Sequence, residues 1–155
     1  MTWYGVIDAG APRPWRDGQV LVLLVVTAVT GVLMHWLLPD GFAAGYFGDA
    51  MTLSAFLVIY PLVEEVLFRG VIQGELLRWP FFVQSFGGIS AANVVTSALF
   101  VLLHLIHQPL GWAVAVAVAL PSLALGYFRE RYQGVGMPIL LHVLFNGTFL
   151  VAGMP

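Results

Sequence analysis

An all-α, polytopic membrane bundle of about five transmembrane helices is predicted by three observations: 60% of the 155 residues are hydrophobic, only 9% are charged, and the apolar residues fall into long runs punctuated by proline, glycine and aspartate. A bilayer-crossing helix needs about 20 apolar residues, so five crossings nearly exhaust the chain, and we expect one integral membrane domain over 1–155 with no soluble domain. The net charge of −2 and the lack of any basic run argue against nucleic acid as a partner. The absence of cysteine excludes disulfides, thiolate nucleophiles and cysteine metal ligands, which leaves serine, glutamate and histidine chemistry.

The first apolar run, 19–38, ends at the turn signal Pro39-Asp40-Gly41 with Trp36 at the interface. It is too long for a signal-peptide core, and no small-x-small cleavage site follows it, so it reads as a leading membrane helix. The second helix covers about 51–78. Pro61, inside it, removes a backbone donor and should kink the helix, leaving a carbonyl near residue 57 in need of a partner. A loop or interfacial stretch rich in aromatics and glycine follows over 79–88. The third helix runs from about 90 to 107 and is ended by Gln108-Pro109. The fourth spans about 110–128. Its segment from Ala113 to Ala119 alternates with a period of two, but an unpaired strand leaves its backbone unsatisfied in lipid, so a helix with a small-residue face is expected. The fifth covers about 138–151, with Pro138 in its first turn.

The arginines give an orientation. Arg13 and Arg16 precede the first helix, Arg78 ends the second, and Arg129 and Arg131 follow the fourth, whereas the intervening loops carry Asp40, Asp49 and His107. The positive-inside rule then puts the N-terminus in the cytoplasm, with the chain as a multi-pass protein of a bacterial inner membrane.

Chemistry concentrates at Glu64, Glu65 and Arg69, in the middle of the second apolar run. An ionisable side chain at mid-helix costs roughly 2.5–3.5 kcal/mol, so three within six residues must pair, face a wet cavity or react. Glu65 and Arg69 are four apart and share a helix face, which makes them the natural ion pair, while Glu64 points about 100° away from Glu65. Glu64 is therefore the candidate reactive carboxylate, near the midplane at about 14 residues from either helix end. A structural ion-pair network or a proton path is the alternative reading of the three.

His104 lies one turn after Phe100, and His142 one turn before Asn146. Each histidine alone reads as a satisfied core residue; together with the charged cluster, polar groups on three spans point to one cavity. There Glu64 and His104 could hold and deprotonate a water, with His142 and Asn146 donating to the oxyanion of a tetrahedral intermediate. His35 and His107 sit at helix ends and receive no role, and the tryptophans and tyrosines read as an interfacial belt.

Glu-Glu-x-x-x-Arg at Glu64, Glu65 and Arg69, Phe-x-x-x-His at Phe100 and His104, and His-x-x-x-Asn at His142 and Asn146, in this order on successive helices, resemble the CPBP (Abi) family of intramembrane proteases. That family includes the CAAX prenyl endopeptidases and bacteriocin-immunity proteins. The resemblance covers about 51–151. It implies a glutamate-dependent protease with Glu64 and His104 for water activation and His142 and Asn146 for the oxyanion, supported by Glu65, Arg69 and Phe100. The implied partner is a membrane-anchored or lipidated peptide: a prenylated tail, a leader peptide or a C-terminal sorting tail. Only one helix precedes the core, where many relatives carry more, which raises a homo-oligomer as an expectation.

Glu64, His104 and His142 also have the ligand types of a catalytic zinc site, but no His-Glu-x-x-His is present and Asn146 beside His142 suits an oxyanion better, so a metal-free mechanism without cofactors is favoured. Two other classes remain as alternatives: a proton or ion pathway, which five short helices without inverted repeats fit poorly, and a non-catalytic scaffold or immunity factor, against which the intact motifs argue.

Overall fold

Apolar runs of the lengths found here fold as helices because helix formation satisfies each backbone group within the segment. The computed structural model describes residues 13–37, 43, 45, 48–107 and 111–154. After a 3₁₀ turn at Pro14–Arg16, helix α1 runs Gly18–Leu37 and α2 runs Ala50–Leu76. A short helix α3 (Pro80–Val83) leads into strands β1 (Ser85–Phe86) and β2 (Ile89–Ser90), followed by α4 (Ala91–His107), α5 (Gly111–Arg131) and α6 (Gly136–Ala152). Among the described residues α1 and α2 are long and apolar enough to cross a membrane, and α4 and α6 are shorter apolar helices. The expected turn at 39–41 and the Gln108-Pro109 stop lie outside the described residues.

The alternating alanine–valine segment is helical, within α5, and Pro138 occupies the first turn of α6, where its missing N–H is not needed. The stretch after α2 is more ordered than a loop. Gly87 and Gly88 both take positive φ (59° and 84°), as the two central residues of a tight hairpin turn require, and Ser85 and Phe86 pair antiparallel with Ser90 and Ile89.

Contacts divide the chain into two units, one comprising Val63–Leu140 and the other the described parts of 12–62 and 141–155. In the first, α5 packs along α4, with Phe68, Phe100, Leu125, Phe128 and Tyr132 in its core. Gly126 permits the close approach: a Cβ there would run into the Asn93 side-chain amide.

In the second unit α1 and α6 meet where a Cβ on Gly31 would lie 2.6 Å from Thr148 Cγ2. At the end of α1, His35 Nδ1 lies 3.2 Å from the Ala152 carbonyl, so this histidine ties α1 to α6. The Phe56 and Phe149 rings pack at 5.9 Å.

Around Pro61, where the sequence predicts a kink, helix α2 departs from regular α geometry. It contains two π turns, Ala55–Ile59 and Val66–Ile72. In the first, the Tyr60 N–H donates to the Ala55 carbonyl, five residues back. Continuing that register, Phe56 O falls to Pro61, which has no N–H. The carbonyl expected near residue 57 to lose its helical donor is therefore that of Phe56, because the π turn shifts the register by one residue. Asn146 Nδ2 donates to it at 2.8 Å.

Candidate active site

Glu65 and Arg69, both 0% exposed, form the ion pair expected from their spacing, with Nη1 3.2 Å from Oε1. A buried pair needs further hydrogen bonds to offset desolvation. Arg69 Nη2 supplies them across the helices, donating to Ser122 O at 3.0 Å and to Ser122 Oγ at 2.6 Å on α5. The guanidinium carbon also stands 4.5 Å from the centroid of the Phe100 ring, a cation–π contact from α4. Arg69 thus joins three helices of the unit through its fork and its face, geometry that a lysine does not reproduce.

Phe100 is the next link. Its ring meets Phe68 edge-on at 5.0 Å and packs against the His104 imidazole at 4.5 Å with an interplanar angle of 37°. His104 Nδ1 is 2.9 Å from the Phe100 carbonyl. A carbonyl only accepts, so Nδ1 carries a hydrogen, and in the neutral ring Nε2 then keeps its lone pair, the form a general base requires. Glu64 and His104 are both half-buried, in contrast to the sealed Glu65 and Arg69.

A second polar layer lies one turn beyond Arg69. Gln73 Nε2 donates to Gly126 O at 3.0 Å and to Glu130 Oε1 at 2.8 Å, and Ser90 Oγ donates to the same oxygen at 2.5 Å. Asn93 Nδ2 donates to Leu123 O at 2.9 Å, Ser97 Oγ donates to Asn93 Oδ1 at 3.1 Å, and Arg129 Nε donates to Arg69 O at 3.1 Å. Arg69 Nε, Gln73 Oε1 and Thr96 Oγ1 are buried without a hydrogen-bond partner among the described residues. Ser122, Gln73, Asn93 and Glu130 were not among the residues singled out from sequence. Gln73 had a usable signal, a polar residue four positions after Arg69 on the same face of an apolar helix.

The first unit therefore links Glu65, Arg69, Phe100 and His104 in a chain of successive contacts, with Glu64 beside Glu65 on α2. The second unit carries His142, which is buried, and Asn146, bound to Phe56 O as described.

Residues 46–148, which contain all three motifs, match the family model described as type II CAAX prenyl endopeptidase Rce1-like. The chain belongs to this family. The CPBP membership read from the three motifs is thereby shown. An Escherichia coli protein described as an uncharacterized 24.3 kDa protein is 28% identical to the Rce1-like chain over 136 residues, covering 84% of this chain and 59% of that protein. The chain thus spans less than two thirds of that relative's length. No solved structure matches.

Proposed function

We propose that this Rce1-like chain is an intramembrane endopeptidase that hydrolyses a peptide bond in a membrane-embedded or lipidated protein or peptide. The observation that carries the reading is the division of labour between adjacent carboxylates: Glu65 is sealed against Arg69, while Glu64, the next residue, is half-buried. Glu65 is closed off from water by its burial and its contact with Arg69, so Glu64 is the one of the two placed to meet water.

In the proposed reaction Glu64 and the Nε2 lone pair of His104 orient a water and take its proton as its oxygen adds to the scissile carbonyl. His142 and Asn146 donate to the oxyanion, and collapse of the tetrahedral intermediate sends the proton to the leaving amine. The reading needs no metal; activity lost to a chelator and restored by zinc would replace it with Glu64, His104 and His142 as ligands. Prenylated tails, leader peptides and C-terminal sorting tails are the substrate classes in view. The proposed setting is a bacterial inner membrane crossed about five times with the N-terminus cytoplasmic, an orientation in which the position of His142 near the arginine-rich end of α6 favours access from the cytoplasm.

The test is cleavage of membrane-anchored candidate peptides by detergent-purified protein, comparing wild type with Glu64→Gln and His104→Ala after each is shown to be folded. We expect losses of about 10²–10⁴-fold in both. Equal cleavage by all three proteins would remove the catalytic reading.

A further inference from the structure

The segment 79–90 between α2 and α4 has an unusual surface. It contains no charged residue, and four of its large apolar side chains point outward: Trp79 is 61% exposed, Phe81 66%, Val83 54% and Phe86 94%. Large apolar groups displayed together mark an interaction surface rather than a solvated loop. The display is also held in place. Phe82 N donates to Trp79 O at 3.0 Å, Ala91 N donates to Gln84 O at 2.9 Å, and the paired strands turn through two positive-φ glycines. A Cβ on Gly88 would lie 3.3 Å from the Tyr127 ring, and Ser90 is bonded to Glu130, so the hairpin rests against the end of α5.

Position identifies the partner. The segment begins three residues after Leu76, the last residue of a helix long and apolar enough to cross a membrane, and directly follows Arg78. Its support on α5, Tyr127 and Glu130, is interleaved with Arg129 and Arg131. Arginines at the end of apolar helices mark the level of lipid headgroups, where tryptophan and other amphipathic aromatics are enriched. We propose that 79–90 is a membrane-surface anchor, lying at the headgroup–acyl boundary with Trp79, Phe81 and Phe86 inserted among the lipids. The occupant of this surface is thus the bilayer itself. The inference depends on the membrane setting but not on the catalytic assignment, so either can fail alone.

The chain has no cysteine, so single spin labels can be placed without background. Phe86→Cys and Phe81→Cys, both at exposed positions, would be labelled in full-length protein reconstituted into phosphatidylethanolamine–phosphatidylglycerol vesicles, with Val25→Cys in α1 as an embedded reference. The measurement is nitroxide collision with oxygen against collision with a water-soluble nickel chelate. We expect both labels to favour oxygen several-fold more than a free nitroxide in water does, and less than the label at Val25. Chelate contact equal to that of the free nitroxide would place the hairpin in water and overturn the proposal. Exclusion of both reagents would mean that another protein chain covers the surface, which overturns it as well.

Discussion

Asn146 Nδ2 donates at 2.8 Å to the carbonyl of Phe56, the group that Pro61 leaves without a helical donor. A proline in α2 and an asparagine in α6 are thus two halves of one backbone repair. The side-chain amide of asparagine carries two N–H groups and this bond uses one, so the repair is compatible with donation to an oxyanion. Asn146→Ala should destabilise the protein by about 1–3 kcal/mol, the cost of an unmet polar group. In a Pro61→Ala background residue 61 regains its N–H, and the same change should cost less, with a coupling of about 0.5 kcal/mol or more. Unfolding of the four chains in detergent measures it; strictly additive costs would show that Asn146 does not serve this carbonyl.

The Arg69 fork leads to a second expectation. Removing one member of a buried ion pair strands the other, at about 3–5 kcal/mol, whereas replacing both by apolar residues costs far less than the sum. Arg69→Met should therefore be severe, and Glu65→Leu should partly rescue it. Arg69→Lys should remain destabilised, because a lysine cannot hold Glu65, both oxygens of Ser122 and the Phe100 face together. A fully stable Arg69→Lys protein would mean that charge alone matters at this position.

Gly126 and Asn93 make a steric pair across α4 and α5. Gly126→Ala should destabilise the protein by about 1–3 kcal/mol through overpacking. Adding Asn93→Ala removes the obstructing amide, although it also gives up the bond to Leu123 O. We expect the double variant to be more stable than Gly126→Ala alone, as read by thermal unfolding in micelles. A double variant less stable than Gly126→Ala would assign the harm to something other than this clash.

The sequence made the helices legible to within about three residues, because apolar runs bounded by Gly, Pro and Asp report directly on backbone hydrogen bonding. It also made Glu65–Arg69 and Phe100–His104 legible, since partners four apart on one helix need no knowledge of tertiary structure. Ser122, Asn93 and Glu130 were not legible. Their partners lie on other helices, and which residue of α5 faces Arg69 depends on how the helices are rotated and shifted against one another. The π turns escaped for a related reason: apolar periodicity is too coarse to register one extra residue in a turn, and Pro61 announced a lost donor without saying which carbonyl would be orphaned.

Acid should loosen the start of α2 in a defined direction. Asp49 caps this helix, Oδ1 accepting from Met51 N at 2.8 Å and Thr52 N at 2.9 Å, and Oδ2 from Thr52 Oγ1 at 2.7 Å. Donation by the Thr52 backbone N–H, followed by the Thr52 hydroxyl, holds the carboxyl below its usual range. Because the folded value is depressed, the stabilisation is present above the unfolded value of about 3.9 and is lost as pH falls through the folded one. Asp49→Asn keeps an acceptor but no titration, so its deficit relative to wild type should be constant above about pH 4 and shrink below it. Amide exchange at Met51 and Thr52 reports this; a deficit unchanged into strong acid would show that the charge contributes nothing.

The tautomer of His104 bears directly on the proposed chemistry. Its Nδ1 faces the Phe100 carbonyl at 2.9 Å, and that carbonyl has no proton to give, so the neutral ring must carry its hydrogen on Nδ1. Only this form leaves Nε2 able to accept a proton from water. Nitrogen NMR of histidine-labelled protein near neutral pH, with the His104 signal assigned by its loss in His104→Ala, should show the Nδ1–H tautomer. Phe100→Leu should preserve that tautomer, since the backbone carbonyl stays, while removing the ring that packs against both His104 and Arg69. Cleavage should then fall with the tautomer intact, separating the orientation of the ring from its protonation. An Nε2–H signal in wild type would leave His104 without an acceptor toward water, and the role of general base would pass to Glu64 alone.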